Sequence, residues 1–187
     1  MKNLLDSLKV AALTVAICCV AYPLAVLAFA RAYDTEAAEG SIVRNEAGDV
    51  VGSRLIAQAF SSPRYFWPRP SAADFNAQAA GGSNFAPTNP ALAERAREML
   101  GRLAAPPGTP VPADLVTASG SGLAPHISAA SARLQATRVA QARSLAATDV
   151  QALIDGLAFS PGGRLAPDPV VNVLELNLAL DNLSGKQ

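Results

Sequence analysis

Between Lys9 and Arg31 the chain passes twenty-one residues, Val10 to Ala30, without a charge. At about 1.5 Å of rise per residue, a helix of that length covers roughly 31 Å, the thickness of a bilayer's hydrocarbon core. No other stretch of the sequence is long and apolar enough to do this. A transmembrane helix over residues 10–31 is therefore predicted. Residues 1–9 form a short tail before it, 32–40 a polar stalk after it, and 41–187 one domain on the far side. Ala28-Phe29-Ala30 has the small-x-small form of a signal-peptidase site. A signal h-region is usually about 7–15 residues, so the longer run here favours an uncleaved span. No small residue precedes Cys18, which weakens a lipid-anchor reading. Lys2, Lys9 and the α-amine precede the span, against Arg31 and Arg44 just after it, which by the positive-inside rule favours a cytoplasmic N-terminus.

Pro23 stands in the middle of this run. It removes one backbone hydrogen bond and is expected to kink the helix. Ala12, Ala16, Ala21, Ala25 and Ala28 permit close approach by neighbouring helices, which can satisfy the freed carbonyl. Tyr22 and Pro23 are therefore candidate subunit-contact positions.

Residues 31–187 hold 13 Lys+Arg and 14 Asp+Glu, a net charge of −1, with no basic patch for nucleic acid. Both cysteines, Cys18 and Cys19, lie in the span, so the far domain has no disulfide. One histidine and no cysteine outside the span argue against a zinc site.

Two short apolar runs, Ser41 to Arg44 and Val50-Val51, flank Asn45-Glu46-Ala47-Gly48-Asp49, the pattern of a β-hairpin. Residues 53–60 extend its second arm or form a short helix; periodicity does not separate the two. Ser61 to Asn89 is crowded with Pro63, Pro68, Pro70, Pro87, Gly81 and Gly82, so few regular elements are expected. Yet six of the ten aromatic residues fall between Phe60 and Phe85. A disordered linker is poor in aromatics, so this is a folded loop segment pinned by buried rings. Asn89-Pro90 then opens a helix with Asn as N-cap, and Leu92, Ala96, Met99, Leu100 and Leu103 form its apolar stripe. Residues 104–112 are a breaker and 114–127 a second loop-rich stretch. Ser128 caps a helix through Leu134. Further helices follow over Thr137–Leu145 and Thr148–Leu157, the latter with a Thr148…Gln151 capping box. Val170 to Val173 reads as a short strand leading into a terminal helix.

Several groupings contain the residue types of a functional site. Gly81-Gly82-Ser83-Asn84 before a helix resembles a phosphate-cradling loop, whose amides bind anions. No Gly-x-x-x-x-Gly-Lys-Ser/Thr exists and no lysine is near, so a structural turn is the stronger reading. Ser119-Gly120-Ser121-Gly122 with His126 and Asp114 holds the residue types of a serine triad. Neither serine has the Gly-x-Ser-x-Gly of a nucleophile elbow, and His126 reads better as a loop residue bonded to backbone. Arg64 and Arg69 lie among aromatics and prolines. They can stack on Tyr65 or Trp67, grip carboxylates of a partner, or stand solvated. Asn76, Asn84 and Asn89 suit turns. Arg95, Arg97, Arg102, Arg133, Arg138 and Arg143 read as exposed helix-face charges.

The ordered blocks resemble the KdpC family of the Kdp potassium-transporting ATPase over nearly the whole chain. They are Ala21-Tyr22-Pro23-Leu24 at the span, Pro63-Arg64-Tyr65-Phe66, Arg69-Pro70-Ser71-Ala72, Gly81-Gly82-Ser83-Asn84, Asp114-Leu115-Val116-Thr117, Ser119-Gly120-Ser121-Gly122-Leu123, Pro125-His126-Ile127-Ser128 and Val171 to Asn177. Ala57, Pro68, Phe75 and Ala124 depart from the family's pattern. Ala124 stands where an aspartate is usual, which removes any role that carboxylate has beside His126. The resemblance implies an α+β protein with a single N-terminal transmembrane helix and one loop-rich mixed α/β extracytoplasmic domain. It implies the bacterial inner membrane, a cytoplasmic N-terminus, and three partners: a channel-like potassium-translocating subunit, a P-type ATPase subunit and a small single-span subunit. It further implies a non-catalytic role, stabilising the assembly and raising the ATPase subunit's affinity for ATP as a catalytic chaperone, with ATP held by that subunit. Independently, the chain lacks the Asp-Lys-Thr-Gly of a P-type motor and has no charge in its span to coordinate an ion. Two other classes remain open from residues alone: an anchored hydrolase using Ser119 or Ser121 with His126, and a stand-alone tethered sensor or adapter.

Overall fold

The computed structural model describes residues 2–45, 47–105, 108–163, 165 and 168–184. Glu46 of the expected hairpin turn and Pro106-Pro107 of the breaker lie outside them. The chain divides into two compact units, Met1–Val51 and Gly52–Gln187.

In the first unit one apolar helix runs from Lys2 to Tyr33, with a mean hydropathy of 2.4 in its most apolar window. It is long and apolar enough to cross a membrane. It starts earlier than the sequence pattern predicts, because the tail residues continue the helix and Lys9 pairs with Asp6 one turn back at 3.3 Å. The helix has three parts: α1 (Lys2–Val15), a π segment (Ala16–Ala21) and α2 (Tyr22–Tyr33). The π segment is how the chain accommodates Pro23. A proline in an α-helix lacks its own N–H and crowds the carbonyl four residues back, here Cys19. Widening the preceding turn, so that Tyr22 N–H bonds Ile17 O, relieves that crowding. The stalk contains a single helical turn, α3 (Thr35–Ala38), capped by Asp34 Oδ1 accepting from Ala37 N–H at 2.9 Å. Strands β1 (Ile42–Arg44) and β2 (Val50–Ser53) pair as the expected hairpin. Asn45 closes the turn, its side chain accepting from Asp49 N–H at 2.8 Å.

The second unit is mixed. Helix α4 (Pro90–Leu103) begins as the sequence predicts, with Asn89 Oδ1 accepting from Ala91 N–H. Met99 and Leu103 are buried, whereas Leu100 of the predicted stripe is exposed. Strand β3 (His126–Ser128) lies antiparallel to β4 (Val170–Asn172), with His126 opposite Asn172 and Ser128 opposite Val170. The stretch before Ser128 thus ends in a strand, not a loop, because Ile127 needs Val171 and the helices to bury it. Helix α5 (Ala129–Arg143) is continuous, where the sequence pattern predicts two helices. Gln135, Arg138 and Arg143 interrupt its apolar pattern, yet they turn inward. Ser144 ends α5 in the left-handed region (φ 57°), and Leu145 N–H bonds Ala140 O. Burying Leu145 sets where α6 (Ala147–Leu157) starts, so its N-cap is Ala146 and the Thr148…Gln151 box is not used. Asn172 caps α7 (Val173–Ser184), its Oδ1 accepting from Leu174 and Glu175 N–H groups. The core lies among β3, β4, α5, α6 and α7, around Ile127, Val139, Ile154, Val171, Leu176 and Leu180. A smaller cluster gathers Trp67, Leu103 and Leu115.

Candidate functional site

The 61–89 segment has almost no regular structure, yet it carries Phe66 into the main core and Trp67 into the smaller one. Its backbone groups need partners that no strand supplies. Two buried side-chain amides provide them. Phe66 N–H donates to Asn177 Oδ1 at 2.8 Å, and Asn177 Nδ2 donates back to Phe66 O at 3.0 Å. Trp67 N–H donates to Gln135 Oε1 at 2.9 Å, and Gln135 Nε2 donates to Trp67 O at 3.2 Å. Each amide does what a neighbouring strand would do for one residue.

Arginines of α5 hold the residues just before. Arg143 Nε donates to Arg64 O at 2.6 Å, and its Nη2 pairs with Asp181 at 2.7 Å. Its guanidinium also lies 4.7 Å from the centre of the Tyr65 ring. Arg138 donates to Pro63 O, Tyr65 O and Gln135 Oε1, and stacks 3.7 Å from the Trp67 ring centre. Burial and the nearby Arg102 push its pKa down to about 10, so it stays charged at neutral pH. Arg138 and Arg143 are thus not exposed helix-face charges. A loop with many unmatched carbonyls draws in guanidinium groups, which offer five donors each. The sequence carries a signal of this: arginine and glutamine at positions that break the apolar pattern of an otherwise regular helix.

The rings are not held by the arginines adjacent to them in sequence. Tyr65 takes Arg143, and Trp67 takes Arg102 and Arg138. Arg64 donates to Ala142 O at 3.3 Å, and Arg69 reaches toward Thr117 Oγ1 and Ala118 O at 3.5 and 3.4 Å. Phe85 lies at the surface, under Arg95.

The two glycine-containing loops meet. Gly81 N–H donates to Ser121 O at 2.8 Å, and Ser71 Oγ–H donates to Gly122 O at 2.7 Å. A Cβ on Gly82 would stand 2.9 Å from Gly120 O, and one on Gly122, where φ is +69°, would stand 2.7 Å from Gly81 O. Close backbone approach accounts for these glycines, and a phosphate is not needed to explain them. Asn84 sits in the left-handed region (φ 51°), and Ser83 Oγ is 3.4 Å from Arg95.

Ser119 and Ser121 hydroxyls lie 3.2 Å apart, accepting from Ala124 and Leu123 N–H groups. Asp114 serves the start of α5, accepting from Ser128 N–H at 2.7 Å and Ser131 Oγ–H at 2.5 Å. His126 is on β3, and its ring meets the Phe159 ring edge-on at 5.4 Å. Serine, histidine and aspartate therefore do three separate structural jobs, and among the described residues no hydrogen bond joins them as a triad.

Burial lowers the His126 pKa below 6.5, and Glu175 opposes that shift. Between the lowered value and 6.5 the unfolded chain binds more protons than the folded one, so stability falls as pH falls through that window. The thermal midpoint should drop more between pH 7.5 and 5.5 for the natural chain than for His126→Phe. Parallel curves for the two would contradict this.

Beside Trp67 a cavity of about 430 Å³ opens between the 59–75 segment and α4. Trp67, Arg69 and Phe75 line it from the loop, and Arg95, Glu98 and Arg102 from the helix.

One N-terminal helix long and apolar enough to cross a membrane, followed by a loop-rich mixed α/β domain, defines an α+β protein without a recognisable catalytic cluster among the described residues. Comparison with known proteins is more specific. Residues 4–182 match the family model described as "KdpC: K+-transporting ATPase, c chain", and the chain belongs to that family. It is 50% identical over 183 residues to the potassium-transporting ATPase KdpC subunit of Parvibaculum lavamentivorans, with 98% of each chain covered. Subunits of that name from Paraburkholderia phytofirmans (49% identity, 98% of each chain) and Sorangium cellulosum (53% identity, 86% of this chain and 87% of the relative) are similar too. The chain is a subunit of a potassium-transporting ATPase complex.

Proposed function

We propose that this chain is a non-catalytic accessory subunit, anchored in the inner membrane by its single helix with the N-terminus in the cytoplasm. Its domain lies outside the cell membrane. There it stabilises the assembly of the channel-like potassium-translocating subunit, the P-type ATPase subunit and the small single-span subunit, and it caps the outer mouth of the translocating subunit. The observation that supports this reading is the ordered loop surface. Buried Gln135 and Asn177 and the arginines of α5 fix a long segment whose Phe66 and Trp67 are buried and whose Arg64, Tyr65 and Arg69 reach the surface, a preorganised docking surface rather than a reaction centre. Tyr22 and Pro23, beside the π segment, are the contact positions proposed for the span.

An outer domain cannot touch cytoplasmic ATP. An increase in the ATPase subunit's affinity for ATP therefore requires coupling through the span or through a partner's conformational equilibrium. The test is co-expression of the tagged full chain with the pump's other subunits and purification in mild detergent. We expect the subunits to co-elute and a chain ending before Tyr33 to lose most of that yield. Recovery of the tagged chain alone, or unchanged yield and potassium affinity after the truncation, would overturn the reading.

A further inference from the structure

The cavity beside Trp67 holds more positive charge than its surroundings answer. Arg69, Arg95 and Arg102 line it, and Asp74 and Glu98 also border it. Among the described residues no ion pair joins those guanidinium groups to either carboxylate; the ion pairs of this unit, such as Arg54–Glu175, Arg133–Asp155 and Arg143–Asp181, lie elsewhere. Arg69 makes only two long contacts, at 3.4 and 3.5 Å, and its buried Nε has no hydrogen-bond partner. Arg102 lies 4.9 Å from the Trp67 ring centre and Arg138 lies 3.7 Å from the same centre. Two cations share one indole, and each raises the energy of the other. Of the two, Arg102 lines the cavity, and an anion placed beside it there would relieve that repulsion.

The remaining wall narrows the class of anion. Phe60, Trp67, Pro68, Pro70, Phe75 and Met99 make much of it apolar. A free inorganic anion would leave those rings and prolines uncovered. The carboxylates of Asp74 and Glu98 disfavour a doubly charged phosphate more than a single carboxylate. The volume, about 430 Å³, is in the range of roughly 300–1,000 Å³ typical of sites that enclose a ligand. Guanidinium groups match a carboxylate in a planar, two-point geometry.

We propose that this cavity receives an aspartate or glutamate side chain, together with an adjacent apolar side chain, from an outward-facing segment of a partner subunit in the pump. The proposal rests on the accessory-subunit reading above. Arg69 and Arg102 bind the carboxylate, while Phe75 and the Trp67 edge cover the apolar neighbour.

The experiment uses the assembled complex. Glu98 is exposed on α4, so Glu98→p-benzoylphenylalanine leaves the fold intact and places a photo-crosslinker at the rim. Irradiation of the purified complex should yield one dominant adduct, on a partner segment with an acidic residue beside an apolar one. Arg102→Glu should lower subunit retention at least fivefold, and replacing the mapped acid with arginine should restore it. An adduct on lipid, an adduct on a segment without a carboxylate, no protein adduct, or no rescue by the charge swap would each overturn the proposal. These outcomes leave the accessory reading standing if the subunits still co-elute; failure to co-elute removes both.

Discussion

Replacing Asn177 with alanine should lower the thermal unfolding midpoint of this domain by about 10 °C. Asn177 is 1% exposed and makes both hydrogen bonds of the Phe66 peptide groups. Removing its amide leaves a buried N–H and a buried C=O unmatched, at about 1–3 kcal/mol each. Water cannot replace the amide without opening the loop, because Phe66 fills the core beside it with no exposed surface. A loss of about 4 kcal/mol corresponds to roughly 10 °C for a domain of this size. Asn177→Leu separates the causes. It refills most of the volume but restores neither hydrogen bond, so it should be nearly as damaging as alanine. Circular dichroism melts of the full chain in detergent provide the measurement, and a shift under 2 °C for both variants would contradict the clamp. The loop that Asn177 holds also carries Trp67 and Arg69 to the cavity. Purified complex should therefore lose subunit retention along with stability.

The second large effect is expected at Gly122. Its backbone is in the left-handed region (φ +69°), where an alanine costs roughly 1 kcal/mol more than glycine. The added Cβ would also lie 2.7 Å from Gly81 O, 3.0 Å from Ala73 Cβ and 3.2 Å from Ser71 Oγ. Backbone oxygen has no flexible end to swing aside, so the two glycine loops must part. Parting them loosens the Gly81–Ser121 and Ser71–Gly122 hydrogen bonds, each worth about 1 kcal/mol. Gly122→Ala should therefore destabilise the domain by about 3 kcal/mol or more. Gly120→Ala is the internal control. Nothing lies within 4 Å of a Cβ built there, and the change should stay within about 0.5 kcal/mol. Equal losses at the two positions in denaturant titrations would show that close approach is not what these glycines supply.

The two glycine motifs illustrate how far local reading reaches. A Gly-Gly-Ser-Asn run and a Ser-Gly-Ser-Gly run announce tight backbone, and both are legible as turns. That each exists for the other, forty residues apart, is a fact of packing. The same holds for the aromatic segment. Its richness in rings marks it as folded, but the positions that hold it read as ordinary polar helix residues. Gln135 lies 68 residues from Trp67, and Asn177 lies 111 residues from Phe66. A helical window shows that a glutamine or arginine breaks the apolar pattern, but not which distant loop carbonyl it satisfies. His126 reads as a loop residue for a related reason: a three-residue strand is recognisable only beside its partner, Val170–Asn172.

What the sequence determined by itself is what short-range physics controls. The length and apolarity of residues 10–30 dictated a helix able to cross a membrane, Asn89-Pro90 started α4, and Asn45 with Gly48 turned the hairpin. Each follows from backbone geometry and side chains within a few positions. The tertiary structure alone decided which polar residues turn inward. It made α5 one helix, because Gln135, Arg138 and Arg143 find partners on the 61–67 loop that offset their burial. It also gathered Arg102 and Arg138 around one indole and set Arg69, Arg95 and Arg102 along the cavity beside it.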